Sequence, residues 1–311
     1  MIDCQNLVKH YGPLLAVDDL SFQVSPGEVL GFLGPNGAGK TTTMRIVAGF
    51  LPPSSGRVAV CGYDIATEAT AAKRCVGYLP EGAPSYPEMT PRSFLEFVAD
   101  IRRMRGESRR ARLEQVYGLL HLEPVLEQSI DTLSKGYKRR VGLAQAILDD
   151  PKVLILDEPT DGLDPNQKHE VRQLINHMAK DKIIIISTHL LEEVEALCSR
   201  AIIIAHGRLL ADDTPANLEA RSKFHNAVSM KLGDLSLLNE VNDAIATLSE
   251  VERTELDTSS NTLTAFPVPG KLPLTAINEL AAARGWEFAE LHLESGRLDE
   301  VFRTITGGAS A

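Results

Sequence analysis

The stretch Glu28-Val29-Leu30-Gly31-Phe32-Leu33-Gly34-Pro35-Asn36-Gly37-Ala38-Gly39-Lys40-Thr41-Thr42 decides how the rest of the chain is read. Glu28 to Leu33 is a short apolar run of the kind a buried strand uses. Gly34 to Gly39 followed by Lys40-Thr41 fit the spacing G-x-x-x-x-G-K-[ST], and Thr42 to Gly49 continues with helical spacing at Met44, Val47 and Ala48. Glycines let the backbone curl until consecutive N–H groups face inward as an anion nest, and the new helix adds its positive end at the same point. Lys40 then supplies a mobile charge for outer phosphates, and the Thr41 hydroxyl is placed to bind a magnesium ion. A ligand-free glycine turn also joins strands to helices. Here the full spacing, the Lys-Thr pair and the flanking elements agree on a phosphate site.

With 311 residues, 43% of them hydrophobic and 24% charged, the chain is expected to form two domains of ordinary composition. A formal net charge of −10 argues against a general nucleic-acid binder and leaves a local basic patch open. Cys4, Cys61, Cys75 and Cys198 are spaced too widely for a zinc knuckle or a redox pair. With no secretory signal at the start, they read as buried thiols in a reducing compartment. No apolar run approaches the ~20 residues that span a bilayer, so membrane association is expected only through a partner or a surface contact.

Before the glycine loop, Ile2 to Lys9 and Leu20 to Val24 read as strands around a turn carrying Tyr11, Gly12 and Pro13. Tyr11 suits stacking on a nucleotide base and equally suits a half-buried strand end. After it come Arg57 to Val60 and Val76 to Leu79 as strands, the latter ending at Pro80-Glu81-Gly82. About residues 85–150 read as a mostly helical insert. Thr90-Pro91 caps its first helix, which has Phe94, Phe97, Val98 and Ile101 on one face. Arg102, Arg103, Arg105, Arg109, Arg110 and Arg112 follow as a solvated helix face, with a partner or lipid surface as the second reading. Leu113 to Leu122 and Tyr137 to Leu148 continue the helical pattern.

Val153 to Leu156 is apolar on both faces, as strands inside a parallel sheet are, and Asp157-Glu158 follow at its carboxyl end, where such sheets place ligands. Asp157 can hold magnesium and Glu158 can accept a proton from attacking water; two acids also suit a helix start. Asp164-Pro165 opens a helix with Val171, Leu174, Ile175 and Met178 inward. Ile183 to Ile186 returns to the sheet and leads into Ser187-Thr188-His189, where His189 fits a catalytic or a structural role. Ala201 to Ala205 and Arg208 to Ala211 read as a closing hairpin. Beyond Asp212 to Pro215 the character changes. Strands at Ala227 to Leu232, Glu250 to Leu256, Thr262 to Pro267 and Glu287 to Leu293 alternate with helices at Leu235 to Leu248 and Leu274 to Arg284 in the order βαββαβ of a split βαβ, or ferredoxin-like, unit. A last helix carries Leu298, Val301, Phe302 and Ile305, with a small-residue tail after Thr306.

One further segment, Leu133-Ser134-Lys135-Gly136-Tyr137 just before a helix, completes a set. With the glycine loop and the Asp157-Glu158 strand end it resembles the nucleotide-binding subunit of ATP-binding-cassette (ABC) transporters, whose signature reads L-S-G-G-Q. The resemblance covers about residues 1–215. It implies an α/β P-loop NTPase cassette, with a RecA-like core sheet, an antiparallel β subdomain and the helical insert, followed by a small C-terminal α+β domain at 216–311. By resemblance, Tyr11 stacks on adenine, and Gly34, Pro35, Asn36, Gly37, Ala38, Gly39, Lys40, Thr41 and Thr42 hold the phosphates of ATP. Thr41 and Asp157 serve Mg2+, Glu158 is the catalytic base, and His189 contacts the γ-phosphate and the attacking water. Asp161-Gly162-Leu163-Asp164 matches the loop at the interface between two subunits. In the family two cassettes pair head to tail, so Ser134 and Gly136 of one face the γ-phosphate held by Lys40 of the other. Glu81 stands where most members have Gln, and Lys135 and Tyr137 replace Gly and Gln. With the final Leu-Asp-Glu-Val-Phe these departures resemble a bacterial exporter subgroup, including gliding-motility-type and multidrug-type subunits, which works with a separate membrane permease. The implied function is ATP hydrolysis driving export, by a homodimer or heterodimer held peripherally at the inner face of the plasma membrane, with no nucleic acid expected. A nucleic-acid or translation ATPase and a non-catalytic regulator are the competing readings. One cassette without a heptad run weighs against the first, and intact Lys40, Asp157, Glu158 and His189 weigh against the second.

Overall fold

The apolar run before the glycine loop is a strand, Val29–Leu33, with every residue buried; so are Val153–Asp157 and Ile183–Thr188. Strands without a polar face need cover on both sides, which places them inside a parallel sheet layered by helices. A computed structural model describes residues 1–307 of the chain apart from Pro84, Asp234 and Ser259. The small-residue tail expected after Thr306 falls, from residue 308 on, outside the described residues. Two compact units are present: Met1–Pro215 with the residues from Ile305 on, and Ala216–Thr304.

In chain order the first unit holds β1 (Ile2–Tyr11), β2 (Leu14–Val24), β3 (Val29–Leu33), α1 (Lys40–Val47), β4 (Ser55–Val60), β5 (Tyr63–Asp64), α2 (Ala69–Arg74), β6 (Val76–Leu79), α3 (Pro91–Ile101), α4 (Gly106–Leu119), α5 (Lys135–Ile147), β7 (Val153–Asp157), α6 (Pro165–Ala179), β8 (Ile183–Thr188), α7 (Leu191–Leu197), β9 (Arg200–Ala205) and β10 (Arg208–Asp213). Among the described residues the central sheet has the order β10-β9-β3-β8-β7-β6, parallel except for β10. An antiparallel sheet, β2-β1-β4-β5, shares its apolar core through Leu7, Phe22, Phe32, Met44 and Ile155. The rings of Phe22 and Phe32 meet edge to face at 5.1 Å between centroids.

Local signals place most boundaries. Thr90 accepts from the Ser93 N–H in a capping box with Pro91 at the first helical position, and Asp164 accepts from Gln167 N–H ahead of Pro165. Other expectations shift. β2 begins at Leu14, because pairing with β1 through Tyr11↔Leu14 carries the ladder to the turn. α1 begins at Lys40, since Gly39 takes the N-cap position. α4 begins at Gly106, with Glu107 in its first turn on the positive end of the helix, and ends at Leu119 before His121 turns left-handed. The arginine run is not a uniformly solvated face. Arg112 donates to the carbonyls of Ile147 and Leu148 at 2.7 and 3.0 Å, closing the end of α5, and Arg102 pairs with Asp149 at 3.2 Å. Cys4 and Cys198 are buried, whereas Cys61 and Cys75 are half-buried. Burial, and then its neighbour Cys61, raise the Cys75 thiol above its ordinary range, so folding makes neighbours of two cysteines that their spacing keeps apart.

The second unit holds α8 from Pro215 (Pro215–Glu219), β11 (Val228–Leu232), α9 (Leu238–Ala246), β12 (Val251–Asp257), β13 (Thr262–Pro267), α10 (Pro273–Arg284), β14 (Phe288–Leu293) and most of α11 (Leu298–Gly307). Its sheet runs β12-β13-β11-β14 with antiparallel neighbours, the strand order of a split βαβ unit. β11 alternates buried and half-buried positions, and Val228, Met230, Leu263, Ala265, Ile277 and Trp286 form the core beneath it.

Candidate functional site

The sheet order brings three chain ends together. β8 lies between β3 and β7, so Gly34 to Lys40, Ser187 to His189 and Asp157-Glu158 emerge side by side at the carboxyl edge. A cavity of about 390 Å³ opens there. It is lined by Tyr11, Asn36 to Thr42, Glu81, Asp157 and Glu158, joined by Leu14 and Ala16, which the sequence did not single out.

The loop's path depends on glycine at Gly39, where φ is 105° and an added Cβ would stand 2.5 Å from the Ala16 carbonyl oxygen. That approach seats β2 against the loop. Lys40, 8% exposed, donates its Nζ to the carbonyls of Gly34 at 2.6 Å and Pro35 at 3.1 Å. Burial lowers its pKa, and the carboxylates of Glu158, Asp157 and Glu81 act in the opposite direction by favouring the charged ammonium.

Asp157 is 2% exposed. One of its oxygens accepts from the Ser187 hydroxyl, and the other is buried with no hydrogen-bond partner among the described residues. A buried carboxylate oxygen with a free lone pair, beside Thr41 and Glu81 on one cavity wall, is a hard-oxygen donor set that fits magnesium. Glu158 has φ of 53°, a conformation that costs a non-glycine residue on the order of 1–3 kcal/mol. Its N–H donates to the Ser187 carbonyl at 3.0 Å, and its side chain meets His189 Nδ1 at 2.9 Å. Against a carboxylate, Nδ1 is the donor, which leaves Nε2 on a ring whose side chain is 59% exposed. Behind this pair, Glu193 is buried and accepts from the hydroxyls of Thr160 and Thr188, the latter at 2.8 Å.

The signature residues stand elsewhere. Ser134 caps α5, its hydroxyl accepting from Tyr137 N–H at 3.3 Å, and Gly136 lets α5 approach α6 so closely that an added Cβ would meet Gln167 Oε1 at 2.6 Å. Neither they nor Asp164, whose carboxylate caps α6, line the cavity. Tyr11, 44% exposed, stands at the cavity rim at the end of β1, with Lys9 Nζ 5.4 Å from its ring centroid.

The sequence profile of the ABC transporter family matches residues 17–161. Nod factor export ATP-binding protein I of Paraburkholderia xenovorans (strain LB400) is 36% identical to this chain over 307 residues, covering 98% of this chain and 97% of that protein. The ABC transporter ATP-binding protein YhcH of Bacillus subtilis (strain 168) is 38% identical, covering 68% of each chain. Among solved structures, an ATP-binding subunit of an ABC transporter superposes with a TM-score of 0.67 at 30% identity, covering 71% of this chain and 92% of its own. A dimeric ATP-binding cassette bound to ADP and Pi shares the fold, with a TM-score of 0.65 at 23% identity over 69% of this chain and 99% of that one. The chain belongs to the ATP-binding subunits of ABC transporters. It is an ATP-binding ATPase of that class, with the P-loop cassette fold.

Proposed function

We propose that this chain hydrolyses Mg-ATP at a site completed by a second cassette, and that the cycle drives export through a separate membrane permease. The observation carrying the proposal is the division of the site. Lys40, Thr41, Asp157 and Glu158 share one cavity, while the N-terminus of α5 at Ser134 is outside it. A helix N-terminus is a ready anion site, and a head-to-tail partner would supply its own to the nucleotide held by Lys40.

The roles follow from the geometry. The Asn36 to Gly39 backbone and Lys40 bind the phosphates, Tyr11 stacks on the base, and Thr41 with Asp157 would hold magnesium, with Glu81 beside them. Bound there, the metal supplies charge neutralisation for the transferring phosphoryl group. Glu158 orients and deprotonates the attacking water, and His189 holds that carboxylate while its other ring nitrogen faces the γ-phosphate.

Two further observations support a membrane partner. A groove of about 970 Å³ is lined by Phe50, Val98 and Ile101 together with Lys73, Arg102 and Arg103, and Phe50 and Ile101 are 67% and 63% exposed. Apolar anchors ringed by cations suit an amphipathic segment of a permease. Among the described residues no helix is long and apolar enough to cross a membrane, so spanning segments would belong to that partner. Export follows the Nod factor export relatives, and the peripheral position at the inner membrane face follows from the permease. The unit Ala216–Thr304 is proposed as an accessory domain for contact or regulation.

The test is Glu158→Gln with Mg-ATP in size-exclusion chromatography. The expected result is a nucleotide-dependent dimer; a protein that binds ATP yet stays monomeric at all concentrations would overturn the two-cassette site.

A further inference from the structure

We propose that Arg139 is a positioning residue for Glu158: from within α5 its guanidinium holds the backbone of the proposed base and ties it to the Pro80-Glu81 turn. The inference rests on Glu158 being that base. Two adjacent arginines on α5 go different ways. Arg140 makes an ordinary ion pair with Glu170 on α6 at 2.9 Å. Arg139, 5% exposed, has none of its hydrogen bonds to a carboxylate. It donates instead to three backbone carbonyls, Pro80 at 3.1 Å and both Asp157 and Glu158.

Burying a guanidinium carries a penalty of several kcal/mol, so the position needs a return. Burial lowers the Arg139 pKa, and the surrounding charges of Asp161, Asp157, Glu158 and Glu81 offset that effect. Because its hydrogen bonds fall on carbonyls, the side-chain oxygens of Asp157 and Glu158 stay available for metal and water. A planar fork can serve successive carbonyls at once, which a tetrahedral ammonium does less well. The Glu158 peptide is also the one that needs holding. Its left-handed φ is strained, its N–H is fixed by Ser187, and its carbonyl is shared by Arg139 and Asp161 N–H.

The same side chain therefore joins the helix capped by Ser134 to the ends of β6 and β7. A shift of α5 when its N-terminus engages nucleotide would reach Glu158 through one residue.

The test is a double-mutant cycle in the full-length protein: Arg139→Gln and Arg139→Lys, each alone and with Glu158→Gln, read by single-turnover hydrolysis, ATP affinity and thermal melting. A displacement of about 1 Å costs on the order of 10²-fold in rate. Arg139→Gln is expected to lower kcat by about 10–100-fold with ATP affinity within about threefold, and Arg139→Lys to restore part of the loss. Beside Glu158→Gln the same change should cost less than about twofold, because the positioned group is already gone. Equal losses in both backgrounds would show a merely structural residue and overturn the proposal, as would full activity in Arg139→Gln. If Arg139→Gln does not fold, Arg139→Lys runs the same cycle. If Glu158→Gln itself hydrolyses ATP normally, the base assignment fails first and the inference falls with it; a slow Glu158→Gln with additive Arg139 effects sinks the inference alone.

Discussion

The two units solve the same packing problem with opposite consequences for chemistry. In the first, β3, β7 and β8 are buried along their whole length and run parallel, so their polar continuations leave at one edge and converge there. In the second, neighbouring strands run antiparallel, so successive strand ends point to opposite edges, and β12 shows mostly exposed positions. The parallel sheet thus concentrates Lys40, Asp157 and Glu158 from remote parts of the chain, whereas the antiparallel sheet disperses its charges over a surface. Having a sheet is not enough for a site; strand direction decides whether distant residues meet.

The largest effect expected from this contrast is at Glu158. Glu158→Gln should slow ATP turnover by about 10²–10⁴-fold while ATP still binds, the size of a lost general base. Glu252→Gln, an exposed carboxylate of the second unit, should leave turnover within about twofold, as surface substitutions do. Comparable losses in phosphate-release assays of the two variants would erase the distinction.

A smaller effect is expected at Glu81, which sits on the cavity wall as an acceptor-only carboxylate near two others. Glu81→Gln removes one negative charge, so half-maximal hydrolysis should need about fivefold less magnesium, the equivalent of ~1 kcal/mol for a partly exposed charge. An unchanged magnesium titration would remove Glu81 from the metal's surroundings.

The contrast sharpens if the units separate. A chain ending at Ala220 should bind ATP within about threefold of the full protein, a difference under 1 kcal/mol, because each residue proposed for the site lies upstream. Loss of ATP binding and of cooperative melting together would show that the first unit needs the second.

The smallest effect concerns Glu193 behind the site. Burial raises its carboxyl pKa above the ordinary value of 4.5, so the stability it contributes is present below that value and is lost as pH rises through the higher folded value. A glutamine there stays neutral. Melting curves should therefore show Glu193→Gln gaining on the wild type between about pH 4.5 and pH 8, at about 2–4 °C per kcal/mol. A gap constant with pH would mean that the carboxyl does not titrate in this window.

Local features of the sequence determined the glycine loop and its lysine, the buried strands, the Thr90 and Asp164 caps and the βαββαβ order, because each follows from neighbouring residues and backbone preference. Tertiary structure alone decided which strand lies between β3 and β7, and hence that Ser187 would bond Asp157 and His189 would meet Glu158. It also turned Arg139 inward and its neighbour Arg140 towards Glu170, and drew Arg112 from a charge run onto the end of α5. An arginine has the same charge and helical propensity at each of these positions. What differs is the set of carbonyls and carboxylates that packing brings within its reach, and no local pattern contains them.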